Sequence, residues 1–422
     1  MDAATPIPGT KGFQKRLAEL YGKAEAAFQA RRYQDLADRA AEAFGGRPRF
    51  FSAPGRTELG GNHTDHNRGR VLCAAITLDA VAAVLPSEGM EVELWSDGWE
   101  SPFRLDLARL EPVDSERGST EALVRGVAAG FAEAGFRIGG FKAIINSRVL
   151  PGSGLSSSAA LEVLLGAVLS GLYNQGVVRP EELARIGQQA ENLHFRKPCG
   201  LMDQTASAVG GVLLIDFENP EEPRIKRIKA DFEKEGFALA VVATGGSHAD
   251  LTEDYASIPR EMREVASVFG KETLRGLETG QLLRKMPEVR AAAGDRAVLR
   301  ALHFLEEDER VLAMAKALDD GRMKRFLKLA SRSGASSWRY LQNVLAPGDA
   351  RDQGLALALA LTETFLGKRG ACRVHGGGFA GTLQAYVPLD GFREYKNFME
   401  RTLGPGCVTR LRLREEGAGE VR

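Results

Sequence analysis

Apolar residues recur along the chain with two different periods, and the switches between them outline the elements. From Gly12 to Phe44 they fall three and four apart, at Phe13, Leu17, Leu20 and Tyr21, which predicts helix. Arg49–Ala53 reads as a short strand closed by Pro54-Gly55. Val71–Leu85 is apolar and rich in small and branched residues, as strands buried on a sheet are, and Met90–Trp95 alternates like a further strand. Thr120–Ala134 suits a helix, and Phe141–Val149 is a strand leading into a glycine-rich turn. Helices follow at Ser156–Tyr173 and Pro180–His194, the second opened by a proline at its first position. Strands are expected at Gly211–Phe217 and Phe237–Ala243. Tyr255 to about Ser333 is mostly helical and densely charged. Arg373–Val387 returns to strand and glycine turn, and Val408–Leu413 closes with a strand.

Strands and helices in this irregular order argue for an α+β fold and against a doubly wound parallel sheet. A length of 422 residues suggests two or three domains. The polar segment 218–235, with its Glu-Asn-Pro-Glu-Glu-Pro run, suggests a boundary, which we set between residues 225 and 226. Lys plus Arg (56) equals Asp plus Glu (56), so no basic surplus favours nucleic acid or an anionic membrane as partner. Cys73, Cys199, Cys372 and Cys407 lack the spacing of a disulfide framework or zinc site, as expected of reduced thiols in a cytoplasmic protein. The first residues do not read as a signal peptide, and the apolar run Leu355–Leu361 falls far short of the roughly 20 residues of a membrane span.

The segment richest in chemistry is Leu150-Pro-Gly-Ser-Gly-Leu-Ser-Ser-Ser-Ala-Ala160, between a strand and an apolar helix. Gly152 and Gly154 let successive amides point into one hollow, and the helix adds its free N–H groups and dipole. Residues 152–159 (Gly152, Ser153, Gly154, Leu155, Ser156, Ser157, Ser158, Ala159) thus form a candidate phosphate site. The serine hydroxyls can bind phosphate or ligate magnesium. A serine-rich helix cap without a ligand is the plainer reading, but capping needs one hydroxyl and three are present. Neither a G-x-x-x-x-G-K-[ST] loop nor a protein-kinase signature occurs, so a nucleotide here implies another fold.

Three further segments stand out. Ala53–Asn67 gathers one arginine, two carboxylates, two histidines and several amide or hydroxyl groups into what reads as a glycine-bearing turn, suited to a polyhydroxylated ligand. It can equally be a polar surface loop, and His63 with His66 lacks the companions of a metal site. Ala190–Gln204 places Asp203 at the start of a helical pattern, where a capping role is as common as a catalytic one, and Glu191 twelve residues earlier. Arg373–Thr382 is glycine-dense beside a strand, which allows a close approach or only a tight hairpin.

In this order the segments resemble the galactokinase family, within the superfamily of homoserine, mevalonate and phosphomevalonate kinases; the likeness runs from about Ala41 to Val387. The resemblance implies a ribosomal-protein-S5-like N-terminal domain and a ferredoxin-like C-terminal domain with the active site between them. It implies ATP-dependent phosphorylation of the anomeric hydroxyl of a hexose, with Mg2+ and no obligate protein partner. Asp203 falls at the catalytic carboxylate and Arg56 at the arginine that stabilises it and the moving phosphoryl group. Glu191 and Ser157 or Ser158 match metal ligands, and Asn62, His63, Asp65, Gly200 and Tyr255 match the sugar contacts. The family pattern Gly-Arg-Val-Asn-Leu-Ile-Gly-Glu-His-Thr-Asp-Tyr is altered here to Glu58, Gly60, Asn62 and His66. Asn62 is then expected to offer the sugar a neutral amide, pointing to weaker galactose affinity or another hexose or amino sugar. A non-catalytic sugar and nucleotide sensor is the alternative from another class, disfavoured by the complete Ser156–Ala160 run.

Overall fold

A computed structural model describes residues 8–149, 154–245, 251–345 and 351–422. The predicted first helix is two: α1 (Lys11–Tyr21) and α2 (Ala26–Phe44), separated at Gly22. β1 (Arg49–Gly60) does not stop at Pro54-Gly55 but runs on through the signature segment. Its partner β2 (Arg70–Pro86) is one long strand that opposes Pro54 with Asp79 and Arg56 with Ala75. The intervening β2 residues bulge out and pair with the chain's end instead, Ile76 bridging Leu413 and Thr77 N–H donating to Arg412 O. The ladder thus breaks where proline has no N–H to give, and β1 survives it.

β3 (Glu91–Ser96), β4 (Phe103–Asp106), α3 (Thr120–Glu133), β5 (Phe141–Ser147), α4 (Ser157–Tyr173), α5 (Pro180–Gln189), α6 (Met202–Val209), β6 (Val212–Asp216) and β7 (Arg224–Ile228) follow. The predicted helix to His194 ends at Gln189 and continues as a π-helical turn, Ala190–Phe195. β7 lies inside the segment read as a boundary and pairs antiparallel with β6. Then come β8 (Phe237–Ala243), α7 (Thr252–Val268), α8 (Thr279–Arg284), α9 (Met286–Asp319, broken at Gly294), α10 (Met323–Ser336), α11 (Gly354–Leu366), β9 (Ala371–His375), β10 (Thr382–Pro388), α12 (Phe392–Leu403), β11 (Val408–Leu411) and β12 (Gly419–Glu420).

These strands form two sheets, as an α+β fold requires. The larger runs β12-β1-β2-β5-β3-β4, with β6 on β2 and β7 on β6; the smaller runs β11-β8-β10-β9. Among the described strands one pair, β3 with β5, is parallel. The continuous apolar run of β2 follows from burial on both faces. Ala80, Ala82 and Val84 join Phe51, Ile145 and the helices α3–α6 in one core, while Val81 and Ala83 join Phe50, Ile144 and the helices α1 and α2 in another. The smaller sheet is likewise covered twice: Leu239 and Val241 face α9 and α10, and Ala240 and Val242 face α11 and α12.

Fully buried Asp79 fastens the ends of the chain to the large sheet. It accepts from Tyr21 Oη and Ser52 Oγ (2.5 Å each), Arg32 Nη1 (2.6 Å) and Arg414 Nη1 (3.1 Å). Burial alone would raise this carboxyl, but Arg32 and Arg414 hold it below its ordinary value. Among the described residues no helix is long and apolar enough to cross a membrane.

Candidate active site

The continuation of β1 beyond Pro54 is what builds the site, because it carries Arg56 to the start of α4. Arg56 N–H donates to Leu155 O (3.1 Å), and its Nη1 donates to Gly154 O. Gly154 sits at φ +71°, and a Cβ there would lie 2.5 Å from Thr382 Oγ1, so glycine is required for both reasons. This close approach seats Gly154 against the end of the glycine-rich turn after β9. Gly152 and Ser153 lie outside the described residues.

Arg56 grips Asp203 with two hydrogen bonds, Nε to Oδ1 (2.6 Å) and Nη2 to Oδ2 (2.7 Å). Asp203 stands in the first turn of α6 but caps nothing there; it is a paired carboxylate with a 27% exposed side chain. Ser156, in the left-handed region at φ 65°, donates its hydroxyl to Asp203 Oδ2 instead of capping α4. Burial would raise Asp203, but Arg56 and the Ser156 hydroxyl outweigh it and hold the carboxyl below its ordinary value. It therefore stays ionised at neutral pH. Oδ1 accepts from Arg56 Nε and retains a lone pair for an incoming hydroxyl.

In the first turn of α4, Ser158 Oγ donates to Glu191 Oε1 (2.9 Å). Ser158 rather than Ser157 is thus the loop serine paired with Glu191. Gln204, next to Asp203, joins Glu191 Oε2 (3.1 Å) to the buried Glu162 Oε2 (2.9 Å) through its Nε2. Burial and the neighbouring Glu191 push Glu162 well above the usual carboxylate range. Lys197 Nζ lies 3.2 Å from Glu191 Oε1. Glu162, Gln204 and Lys197 were not singled out from the sequence; Lys197's signal was a cation inside the Ala190–Gln204 segment.

The expected sugar contacts divide into two groups. Asp65 and Gly200 meet: a Cβ on Gly200 would lie 2.2 Å from Asp65 Oδ2, so only glycine lets the carboxylate approach. His63, Asn62 and Tyr255 instead converge on the glycine turn: His63 Nε2 on Gly377 O (2.9 Å), Tyr255 Oη on Gly378 O (2.9 Å) and Asn62 Nδ2 on Gly376 O (2.6 Å). Burial drives His63 down to about 4, so its ring is neutral at physiological pH.

Asn62 is 1% exposed, and its amide is filled from within. Nδ2 also reaches Glu58 Oε1 (3.4 Å), and Oδ1 accepts from Asn343 Nδ2 (2.7 Å) and Ser337 Oγ (3.4 Å). An amide offers two donors and two lone pairs, so the expected amide for the sugar has no capacity left. Its geometry is that of a clamp between the signature segment and the glycine turn. Asn62→Ala is expected to lose about 1–3 kcal/mol of stability with the sugar KM within a few-fold of wild type. Urea unfolding and steady-state kinetics check this; a large rise in KM at unchanged stability would return Asn62 to the sugar.

Two covered sheets and a glycine-serine loop opening α4 beside a paired arginine and aspartate define a small-molecule kinase. Residues 122–211 match the family described as GHMP kinases N terminal domain, and residues 41–86 match the galactokinase galactose-binding signature. A galactokinase of Streptomyces coelicolor is 33% identical over 363 residues, covering 84% of this chain and 89% of that protein. The chain belongs to the galactokinase family. The structure of Lactococcus lactis galactokinase complexed with galactose superposes with a TM-score of 0.77 at 25% identity, over 92% of this chain and 99% of that one. Methanococcus jannaschii mevalonate kinase shares the fold, with a TM-score of 0.62 at 17% identity over 87% and 99% of the two chains.

Proposed function

We infer that the protein transfers the terminal phosphoryl group of ATP to the anomeric hydroxyl of a hexose, galactose first, giving the sugar 1-phosphate and ADP. The observation that carries this is the two-pronged Arg56–Asp203 pair beside the start of α4, where the Ser156 hydroxyl serves Asp203 and leaves the helix amides uncapped. Amides at a helix start favour phosphate oxygens. Asp203 holds the sugar hydroxyl in line and takes its proton late, because a carboxyl kept this acidic is a weak base. Arg56 keeps Asp203 ionised and adds positive charge beside the moving group. Asp65, His63, Gly200 and Tyr255 are assigned to the sugar.

Ser158 and Glu191 set two oxygen donors 2.9 Å apart, a pairing that fits a magnesium ion. Magnesium held there would neutralise phosphate charge. Residues 1–225 carry the signature segment, the proposed phosphate loop and Asp203, and 226–422 the glycine turn packed against them, and we read these as two domains, with β7 straddling the division and β12 returning to β1 of the first. We place the protein in the cytoplasm, in keeping with its four free thiols.

A second acceptor, another hexose or an amino sugar, is favoured by one observation: Asn62 is sealed inside the protein and offers the sugar nothing. The test is ADP release with a panel of hexoses and amino sugars, each also competed against galactose. Turnover with galactose or a close relative is expected. No ADP from any sugar, with sugar and ATP still bound, would replace the kinase with a sensor.

A further inference from the structure

The π-helical turn Ala190–Phe195 and left-handed Arg196 reverse the chain, and Lys197 N–H donates back to Glu191 O (3.1 Å). That reversal aims the Lys197 side chain at Glu191 Oε1, the oxygen that also receives the Ser158 hydroxyl. Glu191 is 3% exposed at this contact and Lys197 is 62% exposed. The Lys197 charge also bears on Asp203, helping to keep its carboxyl low.

Two cations of different kind therefore serve these two carboxylates. Arg56 is fixed: three of its nitrogens are bonded, to both Asp203 oxygens and to Gly154 O, and its side chain is 8% exposed. Lys197 is held by one contact at the tip of a long side chain whose ammonium can turn to a new partner. An anion seated on the first turn of α4 lies beside Ser158. There it meets the carboxylates of Glu191 and Asp203, and Lys197 is the cation free to turn towards it. A lysine ammonium binds phosphate as a point charge, without the fork geometry that arginine needs.

We propose that Lys197 is a phosphate-binding residue of this enzyme: it neutralises Glu191 while the site is free and turns to the terminal phosphoryl group of the nucleotide when the site fills. The proposal rests on reading the start of α4 as the nucleotide site. It makes Lys197 sensitive to the terminal phosphoryl group in particular, so the residue separates ATP from ADP.

Calorimetric titration of ATP and of ADP, each in EDTA, into full-length wild type and Lys197→Met tests this without turnover. Methionine keeps the apolar stem and removes the charge. ATP is expected to bind roughly tenfold more weakly to Lys197→Met, and ADP to change by no more than about twofold. Sugar affinity should hold, and Lys197→Arg should recover most of the ATP affinity. Equal weakening of ATP and ADP, or no weakening of either, would overturn the proposal. Turnover of a hexose by wild type in parallel separates the two ideas. An active wild type whose Lys197→Met variant still distinguishes ATP from ADP as wild type does overturns the role of Lys197 alone, whereas a wild type without turnover or ATP binding overturns the nucleotide site itself.

Discussion

Asp203→Asn is expected to cut turnover by a factor on the order of 10²–10⁴ while leaving sugar affinity within a few-fold of wild type. In the proposed reaction the carboxylate holds the acceptor hydroxyl through the lone pair that Arg56 leaves on Oδ1, and receives the proton as the new bond forms. An asparagine amide keeps one acceptor but cannot take a proton, and its NH2 faces the N–H groups of Arg56, so the acceptor loses its alignment as well. The sugar contacts we propose on Asp65, Gly200, His63 and Tyr255 are untouched by the substitution. Stopped-time assays give kcat, and titration of the sugar gives the affinity. A variant with near-wild-type kcat would remove Asp203 from the chemistry. A variant that loses sugar binding in proportion to kcat would make it a binding residue.

The second large effect is on stability. Arg373 on β9 is completely buried and joins the small sheet to β1 of the large one, donating Nη2 to Glu58 Oε1 (2.6 Å) and Nη1 to Glu58 O (3.0 Å). Burial raises Glu58 above its ordinary value even with Arg373 beside it, whereas Arg373, despite its burial, is held above its own by Glu58 and Glu307, and a buried pair of this kind adds little net stability. Breaking it is another matter. Arg373→Met strands a carboxylate in the interior and is expected to cost about 3–5 kcal/mol, measured by urea unfolding. Adding Glu58→Gln removes the stranded charge, so the double variant should be more stable than Arg373→Met alone. A double variant that loses the sum of the two single losses would show that the residues act independently.

The chemistry of the site was legible where residue type alone constrains it. Two glycines before three serines can do little besides bend a loop and cap or bind, and the structure brings Gly154, Ser156 and Ser158 to Arg56, Asp203 and Glu191. What could not be read is which partner uses up a polar group. Asn62 looks like a ligand-facing amide until Asn343, 281 residues away, and Gly376, 314 away, fill it. Arg373 lies 315 residues from Glu58, and no local pattern announces such a contact. Lys197 was hidden within Ala190–Gln204 because a π-helical turn, invisible to a 3.6-residue period, decides where it points.

The fold shows the same division. The long apolar strand β2 and the helix α4 were plain from their composition. β4 and β7 are short, and β7 carries charges on exposed positions, so neither alternation nor apolarity marked them. Pro54-Gly55 is read as a stop by any local rule, and β1 overrides it because the bulge in β2 and the returning residues 412–414 absorb the break.

Where the phosphate lands on the sugar tests the account most directly. If Asp203 and Arg56 act on the anomeric hydroxyl, a phosphorus–proton correlation spectrum of the product from galactose and ATP will join the phosphorus to the proton on C1. A phosphorus correlated with the C6 protons, or with any other ring position, would contradict it.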